Sequence, residues 1–193
     1  MKYLDLHYLF KFVIVFVSLY YFNIFFLGIT TPDGRLYSSF LENYLNYIAA
    51  LRSSILFVSQ VFLSLFHFDT YIEGTQIIRS ANAAVEVWMP CLGLSISSFW
   101  IAFVVAHKIS GRKKFLWCIV GVAVIWFINC WRIALLLLAL DKKWYYGTMI
   151  DHHTAFNIVA YVAIGLMAFS FVKRTGKPES IVARHLILNE SKK

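Results

Sequence analysis

Three residue types able to do covalent chemistry stand at the ends of three consecutive apolar stretches. Cys91 lies just before Leu92–Ala106, Arg132 falls late in Phe115–Leu140, and the pair His152 and His153 opens Ala155–Val172. A cysteine attacks as its thiolate, and neighbouring cations favour that form. A histidine can carry a proton to a leaving amine. An arginine beside a reacting carbonyl can stabilise the oxyanion that develops there. Asn129, three residues before Arg132, shares its helix face and is placed to orient the guanidinium or add a hydrogen bond. Asp151-His152-His153 could also ligate a metal, but no further close ligand completes a site.

The elements that position these residues are read from composition. Hydrophobic residues make up 60% of the 193 and charged residues 15%, and the apolar excess comes in blocks rather than evenly. A helix crossing a bilayer needs about 20 mostly apolar residues. The blocks predict an all-α, polytopic transmembrane helix bundle of about five spans. These run about Leu9–Ile29, the second half (Ser53–Phe68) of a longer helical stretch that starts at Leu36, then Leu92–Ala106, Phe115–Leu140 and Ala155–Val172. Asp69–Pro90 is more polar and reads as a short extracytoplasmic hairpin or loop before the third span. Residues 1–172 form a single integral-membrane domain and 173–193 a basic cytoplasmic tail.

The net charge of +8 does not argue for nucleic acid, because the basic residues flank spans: Lys108, Arg112, Lys113 and Lys114 in one short loop, Lys173, Arg174 and Lys177 after the last span. That distribution places both segments on the cytoplasmic side and puts basic side chains within reach of anionic membrane lipids. The third span then runs inward, the fourth outward and the fifth inward. With two earlier crossings the N-terminus lies outside; a re-entrant second element puts it inside, which Lys2 and Lys11 favour. From Lys114 to Arg132 a helix rises about 27 Å, against a hydrocarbon core of about 30 Å. Cys91, Arg132 and the histidines therefore share one thin outer layer, whereas Cys118 and Cys130 fall inside the apolar run.

Each residue also has a plainer reading. Cys91 can be a buried structural thiol, Arg132 can snorkel to headgroups, and the histidines can be an interfacial loop pair. The three cysteines fit neither a disulfide framework nor a CxxC motif.

Three segments carry a resemblance. Cys91-Leu92-Gly93-Leu94, Asn129-Cys130-Trp131-Arg132-Ile133 and His153-Thr154-Ala155-Phe156-Asn157 resemble, in order and membrane position, the Cys, Arg and His segments of the exosortase/archaeosortase family. The likeness covers about Tyr71–Val172, and the chain is similar to the compact members. It departs from the family at Pro90 before the cysteine and at Ser95, where an arginine is common. His153 is favoured over His152 because Asn157 and Tyr161 follow on its face.

The resemblance implies a cysteine transpeptidase or protease in the prokaryotic cytoplasmic (inner) membrane, with its site facing out. Its substrates would be secreted proteins ending in a short motif, a transmembrane helix and a basic cluster. Cys91 would form a thioester, resolved by an envelope glycan, a lipid amine or water, with no metal or organic cofactor. The rival readings from the residues alone are a non-enzymatic subunit or scaffold of an envelope polysaccharide or protein export system, and a small transporter binding an anion at Arg132.

Overall fold

The computed structural model of the chain describes residues 6–32, 36–80, 83–142 and 152–175; in the last stretch the side chains described are those of Ile158 and of 161–175. In chain order the elements are helices α1 (Leu6–Thr30), α2 (Ser39–Leu45) and α3 (Tyr47–Leu65), and strands β1 (Tyr71–Glu73), β2 (Gln76–Ser80) and β3 (Ala83–Glu86). A 3₁₀ turn (Met89–Leu92) and helices α4 (Leu94–Ala106), α5 (Gly111–Asp141) and α6 (His152–Thr175) complete them. Long apolar runs become helices because only an internally bonded backbone is tolerated away from water. Among the described residues, α1, α3 and α5 are long and apolar enough to cross a membrane, and α4 is a shorter apolar helix.

Ring contacts fix the directions of the helices. Tyr8 of α1 meets His107, just past α4, at 4.9 Å between centroids, and Asn23 Nδ2 donates to Ser98 Oγ near the start of α4 (3.1 Å). The two helices are therefore antiparallel, and α1 starts at the end of the molecule that carries the basic 107–114 connection. Phe171 of α6 packs on Trp117, early in α5, at 5.3 Å, so α6 finishes at that same end. In α3, Ser54 accepts from Trp126 Nε1 (3.0 Å) and Ser59 Oγ donates to the Cys130 carbonyl (2.9 Å). Thus α3 runs parallel to α5, its serines letting the two backbones approach.

This arrangement bears on the second apolar stretch, whose course the sequence left open. Since α1 runs antiparallel to α4 and α3 runs parallel to α5, α1 and α3 point the same way. Between them the chain turns back only slightly. Ser38 N–H bonds the Ile29 carbonyl, and the Tyr47 hydroxyl donates to Asn23 Oδ1 (2.6 Å) while its ring lies 4.5 Å from Phe26. Asn46 caps α3 at that point by accepting from Ala49 N (3.0 Å). So α3 begins beside the last part of α1 instead of at the basic end.

The polar 69–90 segment is a three-stranded antiparallel meander, one strand more than a hairpin. A turn at Gly74, where φ is +58°, joins β1 to β2. Ile77, Ala83, Val85 and Val87 are buried and join Leu56, Leu63, Ile133 and Leu137 in the main core. The sheet is tied to the helix ends by Arg79 Nε with Asp141 Oδ2 (2.9 Å), by Arg79 over the Phe68 ring (4.2 Å), and by Gln60 Nε2 to the Thr70 carbonyl (2.7 Å). The fold is therefore mostly helical with a small sheet rather than all-α.

Candidate active site

Cys91 sits in the 3₁₀ turn between sheet and α4. Pro90 supplies a preset φ at the start of the turn, the Cys91 N–H closes it onto the Trp88 carbonyl (2.9 Å), and Gly93 ends it in the left-handed region at φ +71°. Gly93 meets two demands at once. Its φ is one that side-chain-bearing residues rarely adopt, and a Cβ there would lie 2.2 Å from Asn129 Nδ2. The bare Cα lets the turn settle against α5 at Asn129.

That seating brings the thiol to the arginine. Arg132 Nη2 lies 3.9 Å from Cys91 Sγ, and each residue is 8% exposed. Asn129, one helical turn before Arg132, is buried, and among the described residues its Nδ2 has no hydrogen-bond acceptor. A buried donor of this kind is costly and calls for an explanation. The site thus combines a thiol, a fixed positive charge against it and an amide donor one turn away.

Of the residues expected from the sequence, Cys91 and Arg132 are brought into contact, and Asn129 packs against the same turn. The side chains of His152, His153 and Asn157 lie outside the described residues. The backbone of α6 does start at the sheet end. The 18 residues from His153 to Phe171 rise about 27 Å and the 15 from Trp117 to Arg132 about 22 Å, so His153 begins about one turn past the level of Arg132. Cys130 is fully buried, its carbonyl engaged by Ser59, while Cys118 belongs to a separate aromatic cluster.

Sequence reasoning assigned no role to Gly93, although a glycine two residues after the cysteine and opening an apolar run was the available signal. It also missed a cavity of about 550 Å³ between α1, α3, α4 and α5, with Leu92 and Leu94 in its wall and the Asn23–Tyr47–Ser98 hydrogen bonds at its side.

Fold and site together define a helical integral-membrane protein in which a thiol and a guanidinium meet where the helices join a small sheet. The chain belongs to the transmembrane exosortase family, whose model matches residues 8–171, nearly the whole described region. The match agrees with the family resemblance read from the sequence. No curated protein and no solved structure gives a significant match.

Proposed function

We propose that this chain is a cysteine transpeptidase that cleaves a C-terminal sorting signal from secreted proteins at the outer face of the cytoplasmic membrane. The observation that carries the reading is the 3.9 Å approach of Arg132 Nη2 to Cys91 Sγ inside a buried layer. The basic 107–114 connection marks the cytoplasmic end, with the start of α1 beside it. In this reading α1, α4, α5 and α6 cross the membrane, α2 and α3 re-enter from outside, and the sheet covers the outer face.

His153 takes the Cys91 thiol proton, and the sulfur attacks the backbone carbonyl carbon at the motif, which the substrate's own helix holds near the outer face. The C–S bond forms, and the carbonyl oxygen gathers negative charge against the Arg132 guanidinium, with the Asn129 amide as a second donor. Collapse breaks the C–N bond. The new amine takes a proton from His153 and leaves with the C-terminal helix. The remaining thioester is attacked by a second nucleophile, an envelope glycan, a lipid amine or water, and the thiol is regenerated.

The test is mass spectrometry of secreted proteins from cells making the wild-type chain or Cys91→Ala. The expected result is a class of proteins retaining C-terminal helices only in the variant, at equal levels of the membrane protein. Identical secreted termini in both strains would overturn the proposal and favour a non-enzymatic export subunit.

A further inference from the structure

The sheet has two edges, and one of them leads directly to Cys91. In β2–β3 the register pairs Ile77 with Val85, and the Val87 N–H bonds the Thr75 carbonyl (2.9 Å). Alternation in an antiparallel ladder then turns the backbone groups of Val85 and Val87 toward β2 and those of Ala84 and Glu86 away from it. Among the described residues, no backbone hydrogen bond reaches those outward groups. The side chains alternate as well: Ala83, Val85 and Val87 are buried, while Ala84 is exposed and Trp88 is 64% exposed. Trp88 is itself extended (φ −79°, ψ 170°) and hands the chain to the turn that holds the thiol.

We infer that the outer edge of β3 is a docking edge for peptide, on which the substrate's motif adds as an extended strand and so reaches Cys91. This rests on the sorting-enzyme reading above and names how that site holds its substrate. Three features favour this occupant. Cys91 is 8% exposed, so a substrate must be guided to it. A scissile carbonyl within a helix is already hydrogen-bonded, whereas every second carbonyl of an added strand points outward and is free to be attacked. The edge is also held rigidly relative to the arginine, because Arg79 ties the sheet to Asp141 at the end of the helix that carries Arg132.

The opposite edge does not serve. β1 lies two strand spacings away, about 10 Å further from the chain that enters the turn. Direction is defined too. The Arg79–Asp141 and Arg132–Cys91 contacts make β3 run from the far end of α5 back toward Arg132. A substrate running from its secreted body toward its own membrane helix would run the same way, so the added strand is parallel to β3. Exposed Trp88 stands where the side chains of the residues nearest the scissile bond would pass.

The experiment places a proline on each edge and follows cleavage of a reporter fused to a sorting signal that the wild-type strain processes. Ala84→Pro removes an outward N–H and leaves the ladder to β2 intact. Ile72→Pro does the same on the far edge of β1, where Tyr71 and Glu73 carry the ladder. Ala84→Pro should slow processing about tenfold or more, the loss of a main-chain bond plus the bulk of the ring, and Ile72→Pro should leave it within about twofold. In parallel, a photoreactive residue at position 84 or 72 is placed in the Cys91→Ala protein, which holds precursor without cleaving it. Capture of the precursor from 84 and not from 72 is expected, and this arm decides the matter if Ala84→Pro fails to accumulate. Wild-type rates in Ala84→Pro, or capture only from 72, overturn the docking edge while leaving the enzyme reading intact. A Cys91→Ala strain that still processes the reporter overturns both.

Discussion

The two ends of the helical bundle each hold a cysteine, Cys118 at the basic end and Cys91 at the sheet end, yet they are built on different terms. At the basic end Trp100, Val104, Ile125 and Phe171 form a compact cluster. His107 is ringed there by Tyr8, Phe103 and Phe171, and its Nδ1 lies 2.7 Å from the Phe103 carbonyl. Trp100 Nε1 donates to the Trp117 carbonyl (2.9 Å), and its indole lies so close over Gly121 that a Cβ would sit 1.8 Å from Nε1. At the sheet end an amide donor on Asn129 lacks an acceptor among the described residues, and a guanidinium faces a thiol. A satisfied polar group in an aromatic nest fixes structure. An unsatisfied donor costs roughly 1–3 kcal/mol, a cost that a ligand or transition state supplying the missing acceptor would offset.

The largest test of that contrast exchanges one cysteine for another. Cys91→Ser should reduce reporter processing by on the order of 10³-fold or more, as removal of a nucleophile does elsewhere. Cys130→Ala, at a residue two before Arg132 whose carbonyl is engaged by Ser59 of α3, should leave the rate within about twofold and lower stability by about 1 kcal/mol through lost packing. Equal losses in the two variants would erase the distinction between the reactive and the structural thiol. Next in size is Arg132→Lys, which keeps the charge but loses the planar fork. A fall of about 10²-fold in rate with unchanged accumulation is expected. His107→Phe at the other end should leave the rate unchanged.

The comparison also shows what a sequence makes legible. The courses of α4, α5 and α6 follow from unbroken apolar length and flanking charge, and the common level of Cys91 and Arg132 follows from counting helical rise along one span; their contact does not, because it depends on how the turn seats against α5. Nor does the direction of α3, because Ser53–Phe68 is equally apolar either way round; the pairing of Ser54 and Ser59 with α5 sets it parallel to that helix. The third strand escapes because each strand is three to five residues long. The Gly93–Asn129 contact joins residues far apart in sequence through a left-handed glycine, and nothing in local pattern announces it.

Two glycines sharpen the contrast at intermediate scale. Gly121→Ala drives a methyl into a rigid indole. It should destabilise the basic end by about 2 kcal/mol or more, read as a lower melting temperature in detergent, with residual molecules keeping normal turnover. Gly93→Ala carries a left-handed backbone cost of about 1 kcal/mol and displaces the Asn129 amide. Its melting shift should therefore be the smaller of the two and its rate loss much the larger. The reverse order would mean that the turn is packing alone.

The smallest expected effect tests the tie between sheet and helix. Arg79 and Asp141 are 27% and 20% exposed, respectively, and an ion pair so placed contributes up to about 1 kcal/mol. Stacking of the guanidinium on Phe68 adds about 0.5–1 kcal/mol. Asp141→Asn removes the first contribution and Arg79→Ala both, so melting should fall in that order, by about 2–4 °C per kcal/mol for a chain of this length. Only the pairing part should shrink as salt is raised. Processing should slow several-fold in Arg79→Ala, since the strand that enters the Cys91 turn loses its fixed distance from Arg132. A rate loss as deep as that of Arg132→Lys would shift the weight of the site from its side chains to the sheet that holds them.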